Sequence, residues 1–232
     1  MSRSRRVRRL LAITIAGIVG LVIVVMLDRA LLHWAKAHGE SFRKGELILL
    51  CRMGGYLPLW ILAAVMLMLH DSRAACQRSL ATCARGLKLI MATGFAGMLA
   101  ALLKIIIRRE RPDFDTVPAL VNHFRAYSEQ PLYGGGLGMP SSHAAVAFAG
   151  AFVVSRYFPA TRPAMLIFAV GTGLSRVMAL AHYPSDVFVA MFVGYAAMRL
   201  AWQVEHRVQV IENALASSRA ASRTTGPEVR KP

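Results

Sequence analysis

The sequence predicts an all-α, polytopic membrane protein, and three observations carry that expectation. Of 232 residues, 56% are apolar and only 17% charged, which sets the chain apart from an ordinary soluble domain. The apolar residues gather into six runs that take up most of the chain. The ionised residues are biased, 28 Lys and Arg against 12 Asp and Glu for a net charge of +16, and the cations collect at the ends of those runs. So much apolar surface excludes a disordered chain, while 18 Gly and 3 Cys exclude collagen-like and disulfide-scaffold classes. A nucleic-acid binder would concentrate its cations in a soluble domain instead of distributing them along span ends.

The first run, residues 10–27, holds eighteen residues without a charge, close to the ~20 needed to cross a bilayer. Arg3, Arg5, Arg6, Arg8 and Arg9 precede it, as they would in a cleavable leader. The run exceeds the roughly 7–15 apolar residues of a leader, and no Ala-x-Ala site precedes Asp28. An uncleaved first span is therefore expected. Residues 28–45, with Leu31, Leu32, Trp34, Ala35 and Phe42, read equally as an amphipathic helix on the outer surface or as a plain connector.

Five further spans are expected over about 54–69, 89–103, 144–158, 163–180 and 187–202. Several are shorter than ~20 residues and would recruit polar flanks. Residues 1–212 thus form a single six-span domain, and the Ser-, Ala- and Arg-rich residues 213–232 a disordered cytoplasmic tail. With the N-terminus in the cytoplasm, 17 of the 28 Lys and Arg fall on cytoplasmic segments, as the positive-inside rule favours. Both termini are then cytoplasmic, in an inner-membrane protein of bacterial type. The outer face keeps Lys104, Arg108, Arg109 and Arg111 against that bias, which implies a need for positive charge there.

Three polar clusters converge on this face. At the end of span three, Lys104, Arg108 and Arg111 stand at i, i+4 and i+7, on one side of a continuing helix, and Pro112 turns Arg111 out into the next loop. Alone, this fits either a basic belt at the membrane boundary or an anion site. Before span four, Pro140-Ser141-Ser142-His143 reads as a helix start, whose free N–H groups and positive dipole end attract anions. An ordinary cap beside a bystander His would look the same. Between spans five and six lie Ser175-Arg176, His182 and Asp186. Asp186 in a first helical turn can hold one ring nitrogen of His182 and leave the other free as nucleophile or base. Arg176 offers a planar fork for phosphate oxygens; the bland reading is a satisfied polar loop. Cations, a helix start and two histidines with no acidic or Cys/His metal set suit metal-free phosphoryl transfer.

Those residues resemble the type 2 phosphatidic acid phosphatase superfamily of integral-membrane lipid phosphatases. The family pattern is Lys, six residues, Arg-Pro; Pro-Ser-Gly-His; and Ser-Arg, five residues, His, three residues, Asp. Here it reads Lys104 with Arg111-Pro112, Pro140-Ser141-Ser142-His143, and Ser175-Arg176 with His182 and Asp186, with Ser142 where Gly is usual. The resemblance spans 104–186 and implies six helices and no cofactor. It implies His182 as the nucleophile that forms a phosphohistidine, Asp186 as its orienting carboxylate and His143 as general acid. It implies Lys104, Arg111, Ser141, Ser142 and Arg176 as the phosphate cradle. From spacing alone, Arg108 is a candidate contact to a second phosphate or headgroup, against the plainer reading of a boundary arginine.

The expected reaction is hydrolysis of a lipid phosphate or pyrophosphate, such as undecaprenyl pyrophosphate, phosphatidylglycerol phosphate, phosphatidic acid or a lipid A phosphate. A lipid-to-lipid phosphotransferase and a non-enzymatic transporter or binding protein for anionic lipids are the competing readings. No obligate protein partner is evident. The loop 113–139, with Gly134, Gly135, Gly136 and Gly138, reads as a mobile lid. Cys51, Cys76 and Cys83 lack metal spacing, and Asp28, Arg52 and His70 read as interfacial.

Overall fold

Among the described residues of the computed structural model, 3–43, 45–74, 80–113 and 123–224, the chain forms α-helices and no strand. They are α1 (Arg3–Arg43), α2 (Glu46–Met53), α3 (Leu57–Ala74), α4 (Leu80–Ile107), α5 (Ser142–Tyr157), α6 (Arg162–Met178) and α7 (Pro184–Thr224), with a 3₁₀ turn at Pro159–Thr161. Among the described residues, four stretches are long and apolar enough to cross a membrane: Leu11–Gly39, Leu57–Ala74, Cys83–Ile107 and Pro184–Val204. The other two expected spans are α5 and α6, of 16 and 17 residues, short of the ~20 that a bilayer asks for.

Residues 28–43 continue α1 without a break, so they are neither a separate surface helix nor a connector. No Pro or Gly interrupts the stretch from Asp28 to His38, and Asp28 is buried at 3% exposure with partners on α7. At the other end, α7 continues to Thr224, through residues whose composition suggested a disordered tail. Alanine and arginine are strong helix formers and carry that stretch. Residues 225–232, like Cys76, lie outside the described residues.

Helix α5 is the centre of the bundle. Ala144 through Gly150 are all buried, with α4, α6 and α7 packed around them. Apolar burial gives little drive between helices in lipid, so close packing through small residues takes over. The alanines of α5, with Ala92, Ala96 and Ala100 on α4 and Ala190, Ala197 and Ala201 on α7, form that contact. Helix α1 lies outside it, showing Ile13, Ile18 and Met26 at 58–77% exposure, an apolar surface suited to lipid.

The helices alternate in direction. Gly17 of α1 lies beside Phe192, Gly20 beside Phe188, and Asp28 against Ser185, so α1 and α7 run antiparallel. Helices α4 and α6 end, and α3, α5 and α7 begin, at one end of the bundle. Arg5 and Arg207 lie towards the opposite end. That alternation brings residues far apart in sequence to a single mouth.

Candidate active site

Helix α4 stops at Ile107 because Arg108 adopts a left-handed conformation, φ +59°, while its N–H still donates to the Lys104 carbonyl at 2.8 Å. Such a conformation costs a non-glycine residue about 1–2 kcal/mol. The side chain offsets it: Nε donates to the Arg125 carbonyl at 3.0 Å, Nη1 to Pro131 at 3.1 Å, and Nη2 to Ala126 at 2.8 Å and to Glu129. Arg108 is 1% exposed and engaged on loop carbonyls. It is therefore a loop organiser, neither the headgroup contact nor the boundary arginine that spacing suggested. The single helical face expected for Lys104, Arg108 and Arg111 dissolves at the same turn.

After the turn the backbone is extended, bridging Arg109 to Phe124 and Glu110 to Leu137. Arg111 N–H donates to Gly136 O and Gly138 N–H to Arg109 O, at 2.9 and 2.7 Å. Arg125 adds bonds to Glu110 Oε1 and to the Gly135 carbonyl, at 2.8 and 3.1 Å. Its guanidinium holds the Glu110 carboxyl below the usual carboxylate range. The glycine-rich segment is thus fastened to residues 108–111, and the mobility read from its glycines is taken up by these bonds. Residues 114–122 of the same loop lie outside the described residues. Gly138 is required for another reason: a Cβ there would come within 2.9 Å of Asp186 Oδ2.

Helix α5 opens with Ser141 as N-cap in extended conformation, and no side chain caps the first turn. Ser141 Oγ is buried and has no hydrogen-bond partner among the described residues. The first-turn N–H groups point out of the helix with the positive dipole end. His143 is half-buried there, with the Tyr56 ring edge-on at 5.4 Å between centroids.

Helix α6 closes through Leu180, at φ +55°, with Ala181 N–H donating to the Arg176 carbonyl at 3.1 Å. Pro184 then starts α7, where a missing N–H costs nothing. This tight connection points His182, 1% exposed, inward. Its Nδ1 faces Asp186 Oδ2 at 3.4 Å, and the same oxygen accepts the Tyr183 N–H at 3.0 Å. With Nδ1 turned to the carboxylate, Nε2 is the nitrogen left for chemistry. Burial pushes the imidazole below its ordinary value; Asp186 offsets part of that shift, while Lys104 and Arg176 deepen it.

Lys104 and Arg176 are buried at 9% and 8% exposure, while Arg111 is exposed. Arg176 Nε has no hydrogen-bond partner among the described residues. Lys104, Arg111, Arg176, His143 and His182 are close enough for their charges to act on one another. Of the residues expected from sequence, all but Arg108 meet at this mouth.

Four residues were missed or misplaced. Asp28 and Arg52 read as interfacial, yet Asp28 is in the buried network behind Asp186, and Arg52 acts on Arg176 and His143. Tyr56 was not singled out. Arg109 was counted only as part of a basic cluster, but it is 2% exposed and bonded to Asp186 Oδ1 at 3.0 Å. A carboxylate closing an uncharged run was the available signal for Asp28.

The family model described as PAP2 superfamily matches residues 85–209, more than half of the chain. A lipid A 1-phosphatase of Rhizobium johnstonii is 38% identical over 116 residues, 47% of this chain and 43% of that protein. A decaprenylphosphoryl-5-phosphoribose phosphatase of Mycobacterium tuberculosis is 33% identical over 99 residues, 43% of this chain and 49% of that protein. The matched region thus spans less than half the length of these relatives. The crystal structure of a transmembrane PAP2 type phosphatidylglycerolphosphate phosphatase from Bacillus subtilis superposes with a TM-score of 0.57 at 18% identity, covering 84% of this chain and 96% of that one. That likeness speaks to the fold.

Proposed function

The chain belongs to the PAP2 superfamily, and from that premise we propose that it hydrolyses a membrane lipid phosphate or pyrophosphate through a phosphohistidine on His182. The observation that carries the reading is the buried His182–Asp186 pair facing His143, Lys104 and Arg176 across one mouth. A protein that only bound anionic lipids would need the cations but not a carboxylate-oriented imidazole opposite a second histidine.

In the first step His182 Nε2 attacks phosphorus, and the bond to the leaving oxygen breaks with its electron pair. His143 gives that oxygen a proton. Lys104, Arg111, Arg176, Ser141 Oγ and the N–H groups of the first α5 turn hold the phosphoryl oxygens and stabilise their charge. In the second step water attacks the phosphohistidine, His143 takes its proton, and phosphate leaves with His182 restored.

The layout we propose is six membrane crossings by α1, α3, α4, α5, α6 and α7, with both termini cytoplasmic and the site at the outer face of an inner membrane. The Lys and Arg bias of the loops and the alternation of helix directions support it. The relatives named above act on phosphates of lipid A and of a polyprenyl-linked sugar, which makes large anionic lipids the first substrates to try.

The test is phosphate release from phosphatidic acid, phosphatidylglycerol phosphate, undecaprenyl pyrophosphate and lipid A in micelles, wild type beside His182→Asn. Wild type should release phosphate from at least one lipid and yield an acid-labile phosphoprotein on quenching, and His182→Asn should do neither. A phosphorylated lipid product in place of free phosphate would mark a phosphotransferase. Full hydrolysis by His182→Asn would overturn the assignment.

A further inference from the structure

Behind the His182–Asp186 pair lies a second layer of charge. Asp186 uses its two oxygens differently: Oδ2 takes the Tyr183 N–H and faces His182, whereas Oδ1 accepts from Arg109 Nη1 at 3.0 Å. Arg109 does not stop there. Its Nη1 also donates to Ser185 Oγ at 2.6 Å, its Nη2 to Asp28 Oδ2 at 2.7 Å, and its guanidinium lies 3.9 Å over the Tyr183 ring. Asp28, from α1, accepts the Ser185 N–H at 2.8 Å on Oδ1 and the Ser185 hydroxyl on Oδ2. Asp28, Arg109, Ser185, Asp186 and His182 are all at most 3% exposed.

We propose that Arg109 and Asp28 are positioning residues for the nucleophile: Arg109 fixes which oxygen Asp186 turns to His182, and Asp28, with Ser185, fixes Arg109. The reasoning is geometric and electrostatic. A lone Asp186 could rotate either oxygen to the imidazole or lean away from it; a guanidinium on Oδ1 and a backbone N–H on Oδ2 leave a single orientation. Arg109 in turn has a rigid fork that can span two carboxylates, which a point charge cannot do. Buried charges persist when paired and hydrogen-bonded, and here both terminal nitrogens of Arg109 and both oxygens of Asp28 and of Asp186 are engaged by members from α1, the α4–α5 connection and α7. Misplacing a reacting group by an ångström can cost about 100-fold in rate, so the network matters to chemistry even though neither residue reaches substrate. It also ties α1, otherwise the outlying helix, to the reacting centre.

The inference rests on His182 being the reacting imidazole, and its test includes a readout that needs no substrate. The charged and titratable groups facing that ring are Asp186 from α7, Lys104 from α4, Arg176 from α6 and His143 from α5, with Arg109 behind Asp186. Removing Arg109 strips Asp186 of its counter-charge and strengthens the carboxylate at His182. Removing Asp28 frees Arg109 to offset Asp186 more fully. The experiment compares wild type, Arg109→Gln, Arg109→Lys and Asp28→Asn in detergent. It reads kcat and KM for phosphate release across pH, and the His182 ring by NMR of 15N-histidine protein. Expected are a fall in kcat of about 10- to 100-fold with KM within about twofold. The His182 titration should move up in pH in Arg109→Gln and down in Asp28→Asn, with Arg109→Lys between wild type and Arg109→Gln. Titrations that coincide with wild type, or that move in the same direction in both, would overturn the proposal, as would losses in kcat that follow thermal stability alone. If Arg109→Gln does not fold, the near-isosteric Asp28→Asn decides: a His182 titration at or above the wild-type value sinks it. A wild type that releases no phosphate from any lipid would overturn the phosphatase reading instead, and the ring titrations still decide this one.

Discussion

The His143 imidazole meets the ring of Tyr56 edge-on, at 87° between planes, and the neighbouring Gly55 leaves it no spare room. A Cβ on Gly55 would come 2.5 Å from His143 Cβ and 2.6 Å from Cδ2. The α2–α3 corner is therefore a wall that sets where His143 stands. With His143 as the general acid proposed above, Gly55→Ala should displace the imidazole and remove part of the roughly 10²–10⁴-fold contribution of such an acid. The loss should be large for an alkyl phosphate and small for an aryl phosphate, whose leaving group needs no proton. Equal losses on both would show that His143 is not the acid.

In the proposed mechanism His182 attacks as the neutral imidazole, and a pH dependence follows from it. Burial lowers its ordinary value of 6.5 and Asp186 raises it again in part. A lowered value means that the imidazole is already neutral at mildly acidic pH. The acid limb of kcat/KM should therefore fall below the ~6.5 of a free imidazole. In Asp186→Asn the raising influence is gone, so the limb should move further down while the plateau drops. A wild-type limb above 6.5, or an upward move in Asp186→Asn, would contradict this account of the ring's surroundings.

The sequence made the periodic and the spaced features legible, and the structure explains where that stopped. Six apolar runs map onto α1, α3, α4, α5, α6 and α7, because apolar runs of this length report helices directly. Lys104, Ser141, Arg176, His182 and Asp186 converge as expected, because each stands at a helix end that the alternation of directions brings to one side. Spacing on a continuing helix places Arg108 beside Lys104, and composition puts Arg109 only in a basic cluster; a single left-handed residue at Arg108 instead turns one guanidinium into the loop and the other into the core. A carboxylate closing an uncharged run marks Asp28 itself, but its role is not legible because its partners, Ser185 and Arg109, lie 157 and 81 residues away. No local pattern encodes a contact of that range.

At the opposite end of the bundle Asp71 of α3 and Arg85 of α4 form a bidentate pair, one bond of which is 2.8 Å long. Arg85 also lies over the rings of Tyr157 and Phe158, 5.9 and 5.7 Å from their centroids. The Asp71 side chain is 9% exposed but that of Arg85 is 36%, so water screens part of the attraction. Asp71→Ala should cost about 1–2 kcal/mol after that discount, read as a lower thermal midpoint in detergent. Its kcat should stay within about twofold, since the pair lies at the far end from the chemistry. A large fall in kcat with an unchanged midpoint would mean that the two ends of the bundle communicate.

The helix start of α5 separates two adjacent serines that look alike in sequence. Ser141 is fully buried, and its hydroxyl has no hydrogen-bond partner among the described residues; a buried hydroxyl left this way costs about 1–3 kcal/mol unless a ligand takes it up. Ser142 is the first helical residue and is half-buried. In the proposed phosphate cradle it offers its first-turn N–H, which any residue but proline supplies. Ser142→Gly should therefore keep kcat/KM within about threefold and lower stability by at most about 1 kcal/mol through glycine's helix propensity. Ser141→Ala should behave in the opposite sense, gaining stability slightly as the lone hydroxyl goes, and losing about 10-fold or more in kcat/KM with the bond proposed for it to the phosphoryl oxygens. The two substitutions, measured for thermal midpoint and phosphate release side by side, test whether the hydroxyl of Ser141 is kept for substrate. A Ser141→Ala variant that is both less stable and fully active would show that it is kept for the fold.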